Sequence, residues 1–235
     1  MDDEVRERGG SGEETLGKLY ELEKQKELSL EDVALLGEMA NADSGEVRSI
    51  TAGILARSES ALARATLVKL SHDGDALVRV NACDSLSNFT DDEIVGLLKQ
   101  KVAKDTNALV RSYALIALSD ILPRMDDEKE VQLRFFEGML KKARNVRDKI
   151  TCYKALYRLG KTEFLNKILE EVSGVRYQNR CFAINTLLEI ANSENQVLML
   201  KCLKEQRKKE KTVAVQSTID RAVSELKQLI ECKRG

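Results

Sequence analysis

The chain has 235 residues, 43% of them hydrophobic, 33% charged and 4% aromatic, with no tryptophan and a single proline. That composition supports a folded core of helices packed through alanine and leucine, and argues against a sheet-rich fold. The formal net charge of −1 hides a split: residues 1–120 hold 14 basic and 23 acidic side chains, whereas residues 121–235 hold 24 and 16.

No stretch approaches the ~20 consecutive apolar residues of a membrane span, and the acidic start lacks the basic-then-apolar order of a secretory signal. The five cysteines are odd in number, contain no C-x-x-C pair and fall at helical positions. Reduced thiols are expected, with neither a disulfide framework nor a zinc site, in a cytoplasmic protein.

In chain order, residues 1–12 are charged and then glycine-rich, and are expected to be a flexible tail ahead of a single domain over 13–235. Leu16, Leu19, Tyr20 and Leu22 mark a first helix from Glu13 to about Lys26, placed to cap the first helix pair. Ser29 and Asp32 form a capping box with a shortened acid, and open a helix through Val33, Leu36 and Met39. A partner helix is expected over 46–56. Further first helices are expected near 59–70, 92–103, 127–142, 162–172 and 194–208. Their partners are expected near 76–88, 107–122, 145–159, 177–191 and 212–231. Thr90 and Glu93 read as a full capping box, and Pro123 stops the helix before it. Arg124 to Asp127 is the longest interruption, and the change of charge falls there.

The organising pattern lies in the second helices. In Asp105–Ile121, positions Val110, Ala114, Ala117, Leu118 and Ile121 share one helical face, and Asp73–Phe89 repeats the frame with Val78, Ala82, Leu86 and Phe89. Looser copies are anchored at Arg48, Lys149, Arg180 and Gln216, so that anchors 48, 79, 111, 149, 180 and 216 are separated by 31, 32, 38, 31 and 36 residues. Periods of this size belong to stacked helix pairs, because one pair cannot bury its apolar face alone. The D-x4-V-R-x2-A-x2-A-L frame resembles HEAT repeats, in particular the short type of the bilin lyases. That resemblance implies an all-α, right-handed αα superhelix of about six helix pairs with an N-terminal capping helix. It also implies that the second helices line a concave, partner-binding face.

Candidate chemistry is sparse. Asp73 and Asp105 recur six residues before an arginine, which suits a scaffold: the carboxylate can take backbone N–H groups while an arginine reaches it from an adjacent turn. His72 is the only histidine, in a turn, without the companions of a metal site or nucleophile. Nucleotide-binding, zincin and nucleophile-elbow motifs are absent from the sequence. No cofactor and no metal are expected. HEAT-like repeats also occur in alkylpurine DNA glycosylases, whose pockets use tryptophan, a residue this chain lacks.

Helical geometry puts offsets +1, +5 and +8 from each anchor opposite the inward face. These slots are mostly small in the first repeats. Ile116, Ile150, Tyr153, Tyr157, Asn185 and Leu188 make the middle larger and more apolar, and are the candidate partner-binding residues. The expected function is therefore a non-enzymatic protein–protein interaction module, an adaptor, regulator or inhibitor, with the charge split favouring an acidic partner. The alternatives are an enzyme subunit resembling bilin lyases, or nucleic-acid binding through the basic patch Lys204, Arg207, Lys208, Lys209 and Lys211 on inter-helix turns.

Overall fold

A computed structural model describes residues 14–125 and 129–231; the tail expected over 1–12 lies outside the described residues. Among them every regular element is helical. Helix α1 covers 14–24, followed by α2 (Leu30–Met39), α3 (Gly45–Leu55), α4 (Ala61–Leu70), α5 (Ala76–Ser85), α6 (Asp92–Lys104) and α7 (Ala108–Ile121). The second series is α8 (Lys129–Lys142), α9 (Val146–Arg158), α10 (Phe164–Glu171), α11 (Tyr177–Glu189), α12 (Gln196–Lys209) and α13 (Val213–Glu231). After α1 these are six helix pairs, each helix within about three residues of where the hydrophobic period put it, the largest difference being α5, whose expected last residues form a 3-10 turn, Leu86–Asn88.

The chain forms two compact units, Met1–Met125 and Asp126–Gly235. The boundary falls in the interruption after Pro123, where the anchor spacing is longest. In the first unit α2, α4 and α6 pair with α3, α5 and α7, and α5 packs against both α3 and α7, so the second helices form a layer. In the second unit α8, α10 and α12 pair with α9, α11 and α13, and α11 likewise packs against α9 and α13.

The inward slots hold. Val78, Ala82, Leu86, Val110, Ala114, Ala117, Leu118 and Ile121 are all buried, as are Cys152, Ala155, Leu156, Ala183, Leu187, Val215, Ile219, Ala222 and Leu226. Alanine at the crossing positions lets neighbouring backbones close in, and Leu or Ile fills the space between layers. Leu19 and Leu22 of α1 are buried too. Arg57 reaches back to the end of α1, donating from Nη2 to the carbonyl of Leu22 at 2.7 Å and from Nη1 to that of Glu23 at 3.2 Å, with Gln25 as a further acceptor. The capping helix is thus held by packing and by a cation on the negative end of its dipole.

Local signals were mostly right. Ser29 and Asp32 form the expected reciprocal capping box. At α6 the cap is Asp91, whose carboxylate accepts from Ile94 N–H at 3.1 Å, and Thr90 stays outside. Glu93 turns away from the cap because Arg64 binds it at 2.7 Å, alongside Asp91 at 2.7 and 2.9 Å. Charge-assisted bonding to the guanidinium displaces the weaker reciprocal box. Pro123 sits in a 3-10 turn, Leu122–Arg124, directly after α7.

Candidate functional site

The recurring arginine is the most regular polar feature. In Arg48, Nη1 donates to the carbonyls of Ala42 and Asp43 at 2.8 Å each, while Nε and Nη2 take both oxygens of Asp73 at 2.7 and 2.9 Å. Arg79 repeats this with the carbonyls of Asp73 and Gly74 at 2.9 and 3.1 Å and with Asp105 at 3.0 Å twice. Arg180 repeats it with Gly174 and Val175 at 3.0 Å each and with Glu210 at 2.9 Å twice. Even Gln216 keeps the carbonyl bond, to Glu210 at 2.7 Å. Each fork spans one repeat to the next.

These carboxylates also accept backbone N–H groups: Asp73 from Asp75 at 2.8 Å, Asp105 from Asn107 at 3.0 Å, and Glu210 from Lys211 and Thr212 at 3.0 and 2.9 Å. The helix caps proper are Asp75 and Asn107. Burial is the largest single influence on Glu210 and would raise its carboxyl. The Thr212 N–H, Arg180, Gln206 and the Thr212 hydroxyl outweigh it and hold the group at about 2. Asp73 is lowered chiefly by its bond to Arg48. The carboxylates are thus occupied as structural ties.

The second-helix face carries the open surface. In the first unit a groove of about 520 Å³ runs between α1 and α5 over α3, lined by Tyr20, Glu23, Ser49, Ile50, Gly53, Ile54, Arg57 and Asn81. Tyr20 is 47% exposed at its rim. Gly53 faces open space: a Cβ there would meet no heavy atom within 4 Å. Asn81 closes one wall, donating to the carbonyl and hydroxyl of Ser49 at 3.1 and 2.7 Å. An apolar floor with a hydrogen-bonding rim suits a side chain or short segment of another molecule. Sequence reasoning missed this groove because it depends on where α1 lies against α3.

The sequence-predicted residues divide. Ile116 is half-buried in the first unit, and the remainder belong to the second. Ile150 is fully buried with Ile184, Leu187 and Met199, which corrects its placement on the exposed face. The reason is lateral: α9 and α11 lie side by side, so the +1 slot turns into their seam, as at Ser49, Val80 and Ser112, all under 10% exposed. Tyr153 stacks on Phe164 with ring centroids 5.6 Å apart. Tyr157 is half-buried, and its hydroxyl accepts from the Nδ2 atoms of Asn195 at 2.8 Å and Asn192 at 3.3 Å. Asn185 is exposed, its Oδ1 accepting from Arg221 at 2.7 Å, and Leu188 is half-buried nearby on α11. Asn185 is therefore exposed, Tyr153, Tyr157 and Leu188 are half-buried and packed against the core of the second unit, and Ile150 lies within that core.

The basic patch lies on the last turns of α12 and the residues after it, which corrects its expected placement on turns alone. Lys204, Lys208, Lys209 and Lys211 are exposed, and Arg207 is tied to Asp220 at 2.8 Å. Cations at a helix C-terminus complement its dipole, a structural reason for the cluster. Cys83 and Cys152 are buried, which pushes both thiols up to about 12. His72 is exposed in its turn, and desolvation together with Lys101 lowers it. No described helix is long and apolar enough to cross a membrane.

Comparison with known proteins places this architecture. The sequence model of HEAT repeats matches residues 33–119. No match is found among curated protein sequences. Among solved structures, the complex of CpcE and CpcF of phycocyanin lyase from Nostoc sp. PCC7120 superposes with a TM-score of 0.51 at 14% identity, covering 88% of this chain and 97% of that one. An engineered protein is similar at a TM-score of 0.39 and 19% identity, over 84% of this chain and 97% of that one. Residues 33–119 thus match HEAT repeats, and the described helices beyond them continue the same hairpin, with an arginine tie at Arg180, in a fold similar to that of the lyase complex.

Proposed function

We propose that this chain is a non-catalytic module that binds another protein on its second-helix face. The observation that carries the reading is the groove between α1, α3 and α5, with Ile50 on its floor, Tyr20 on its rim and open space above Gly53. A half-exposed tyrosine beside an apolar floor is the kind of anchor that dominates protein interfaces. Tyr157, Asn185 and Leu188 are the corresponding contacts of the second unit, with Ile116 as a half-buried member of the first.

The same surface argues against nucleic acid as the ligand. The lysines that would contact phosphate gather on α12, a first helix, and the second-helix face of that unit offers Asn185 and Leu188 rather than a lysine row. The activity named for the similar lyase structure stays with that protein, since 14% identity speaks to fold alone.

The test is affinity capture with cross-linking from native extract after nuclease treatment. Gly53→Leu fills the groove from a position with no neighbouring atoms, and Tyr20→Ala removes its anchor. Tyr157→Phe and Tyr157→Ala separate the lost hydroxyl tie from the lost ring, and Lys208→Glu reverses a charge on α12. We expect Gly53→Leu and Tyr20→Ala to abolish cross-links that Lys208→Glu retains. Equal recovery from all variants, or loss only with Lys208→Glu, overturns the reading.

A further inference from the structure

Within the second unit, one edge carries apolar tips among unpaired cations. The loop between α10 and α11 presents Val175, 99% exposed, and leads into exposed Arg176 and Tyr177. The loop between α12 and α13 presents exposed Lys211 and leads into Val213, 77% exposed, and the last turn of α12 adds exposed Lys208 and Lys209. A single guanidinium ties the two loops together. Arg180 donates from Nη1 to the Val175 carbonyl at 3.0 Å and from Nη2 to the Thr212 hydroxyl at 3.1 Å, and both oxygens of Glu210 accept from its Nε and Nη2. The tips at Val175 and Val213 are thereby held side by side on a rigid support.

The charge of this edge is not explained by the fold. The dipole of α12 favours Lys208 and Lys209 at its C-terminus, but Arg176 is the N-cap of α11 and Lys211 stands just before α13, where a cation opposes the dipole. Among the described residues none of these four cations has an ion pair. Glu210 is taken up by Arg180, and Glu171 beside Gly174 offsets one charge, which leaves the edge positive.

We infer that this edge is a docking surface for a phospholipid bilayer bearing anionic headgroups. Cations gain from the negative potential of such a surface, and apolar side chains that stand clear of their neighbours enter a headgroup layer that closes around them. Tyr177 has the apolar body and polar tip suited to that depth. Nucleic acid would use the cations and leave the valines in water, and a folded protein would need a pocket for each tip. Bilayer docking goes beyond the groove of the first unit and uses neither Tyr20 nor Gly53, so its failure leaves the groove reading standing.

The test sediments the full chain with vesicles of phosphatidylcholine alone or of equal parts phosphatidylcholine and phosphatidylglycerol. Binding is expected to the anionic vesicles and not to the neutral ones, and should weaken as salt rises. Lys211→Glu should weaken it on the order of tenfold. Lys227→Glu makes the same change of charge at an exposed lysine about 20 Å further along α13, and should leave binding within about twofold. Val175→Ser combined with Val213→Ser should weaken binding by about tenfold with circular dichroism unchanged. The chain has no tryptophan, so the emission of Val175→Trp reports on that tip alone. It should move to shorter wavelength with anionic vesicles, and stay unmoved with single-stranded DNA or polyglutamate. No binding to anionic vesicles, equal losses with Lys211→Glu and Lys227→Glu, undiminished binding of the double serine variant, or an emission shift with DNA or polyglutamate but not with vesicles overturns the inference.

Discussion

Asp105 holds the Arg79 guanidinium with both oxygens and the Asn107 N–H with one of them, and its side chain is 6% exposed. Asp105→Ala would leave Arg79 buried with an unmatched charge, so a loss on the order of 3 kcal/mol is expected in urea unfolding. Glu93, whose side chain is 71% exposed beside Arg64, is the contrast: Glu93→Ala should cost under about 1 kcal/mol. Glu210 gives the acid response. Its carboxyl is lowered in the fold, so its contribution is complete above the unfolded value near 4.5 and lost as pH falls toward about 2. Thermal unfolding from pH 7 to 2 should show that loss in the wild type. Glu210→Gln should be less stable at pH 7 and show a flatter acid limb. Cys83 and Cys152, with thiols pushed up to about 12 by burial, should stay unlabelled by a thiol reagent in the native state and react on unfolding.

At the scale of the helix, packing and caps answer to different residues. Ala114 and Ala117 of α7 are fully buried where α5 and α6 press on it, so Ala114→Leu is expected to cost about 1–3 kcal/mol by overpacking. Gly96, mid-helix in α6 and open to solvent, has nothing within 4 Å of an added Cβ, and Gly96→Ala should stabilise by about 0.5–1 kcal/mol. Gly160 differs: its φ of +94° closes α9, with Lys161 N–H bonded to the Leu156 carbonyl at 3.0 Å and Gly160 N–H to that of Tyr157 at 2.9 Å. An L-residue there is strained, so Gly160→Ala should destabilise by about 1 kcal/mol. The helix positions were legible because a period of 3.6 writes itself into the order of apolar residues. The α6 cap was misread because Asp91 serves Arg64 from a neighbouring repeat, 27 residues earlier, and a local motif carries no trace of that demand.

On the scale of the whole chain, the unit Met1–Met125 contains the matched HEAT repeats, the capping helix and the groove. Expressed as a fragment, it should retain helical circular dichroism and a single cooperative urea transition; loss of cooperativity would show that its core needs residues beyond it. Much of the candidate site was not legible. Tyr157 and Leu188 were proposed from their helical offset and are half-buried; the same offset argument put Ile150 on the surface, since it treated each helix as isolated and ignored the seam with α11. Tyr20 was read only as part of a cap. By itself the sequence determined the helices, their pairing, the repeat and its inward face, because these depend on hydrophobic period and chain connectivity. The tertiary structure alone decided which outward slots see solvent and where α1 leaves a groove, because each depends on the distance between side chains some thirty residues apart.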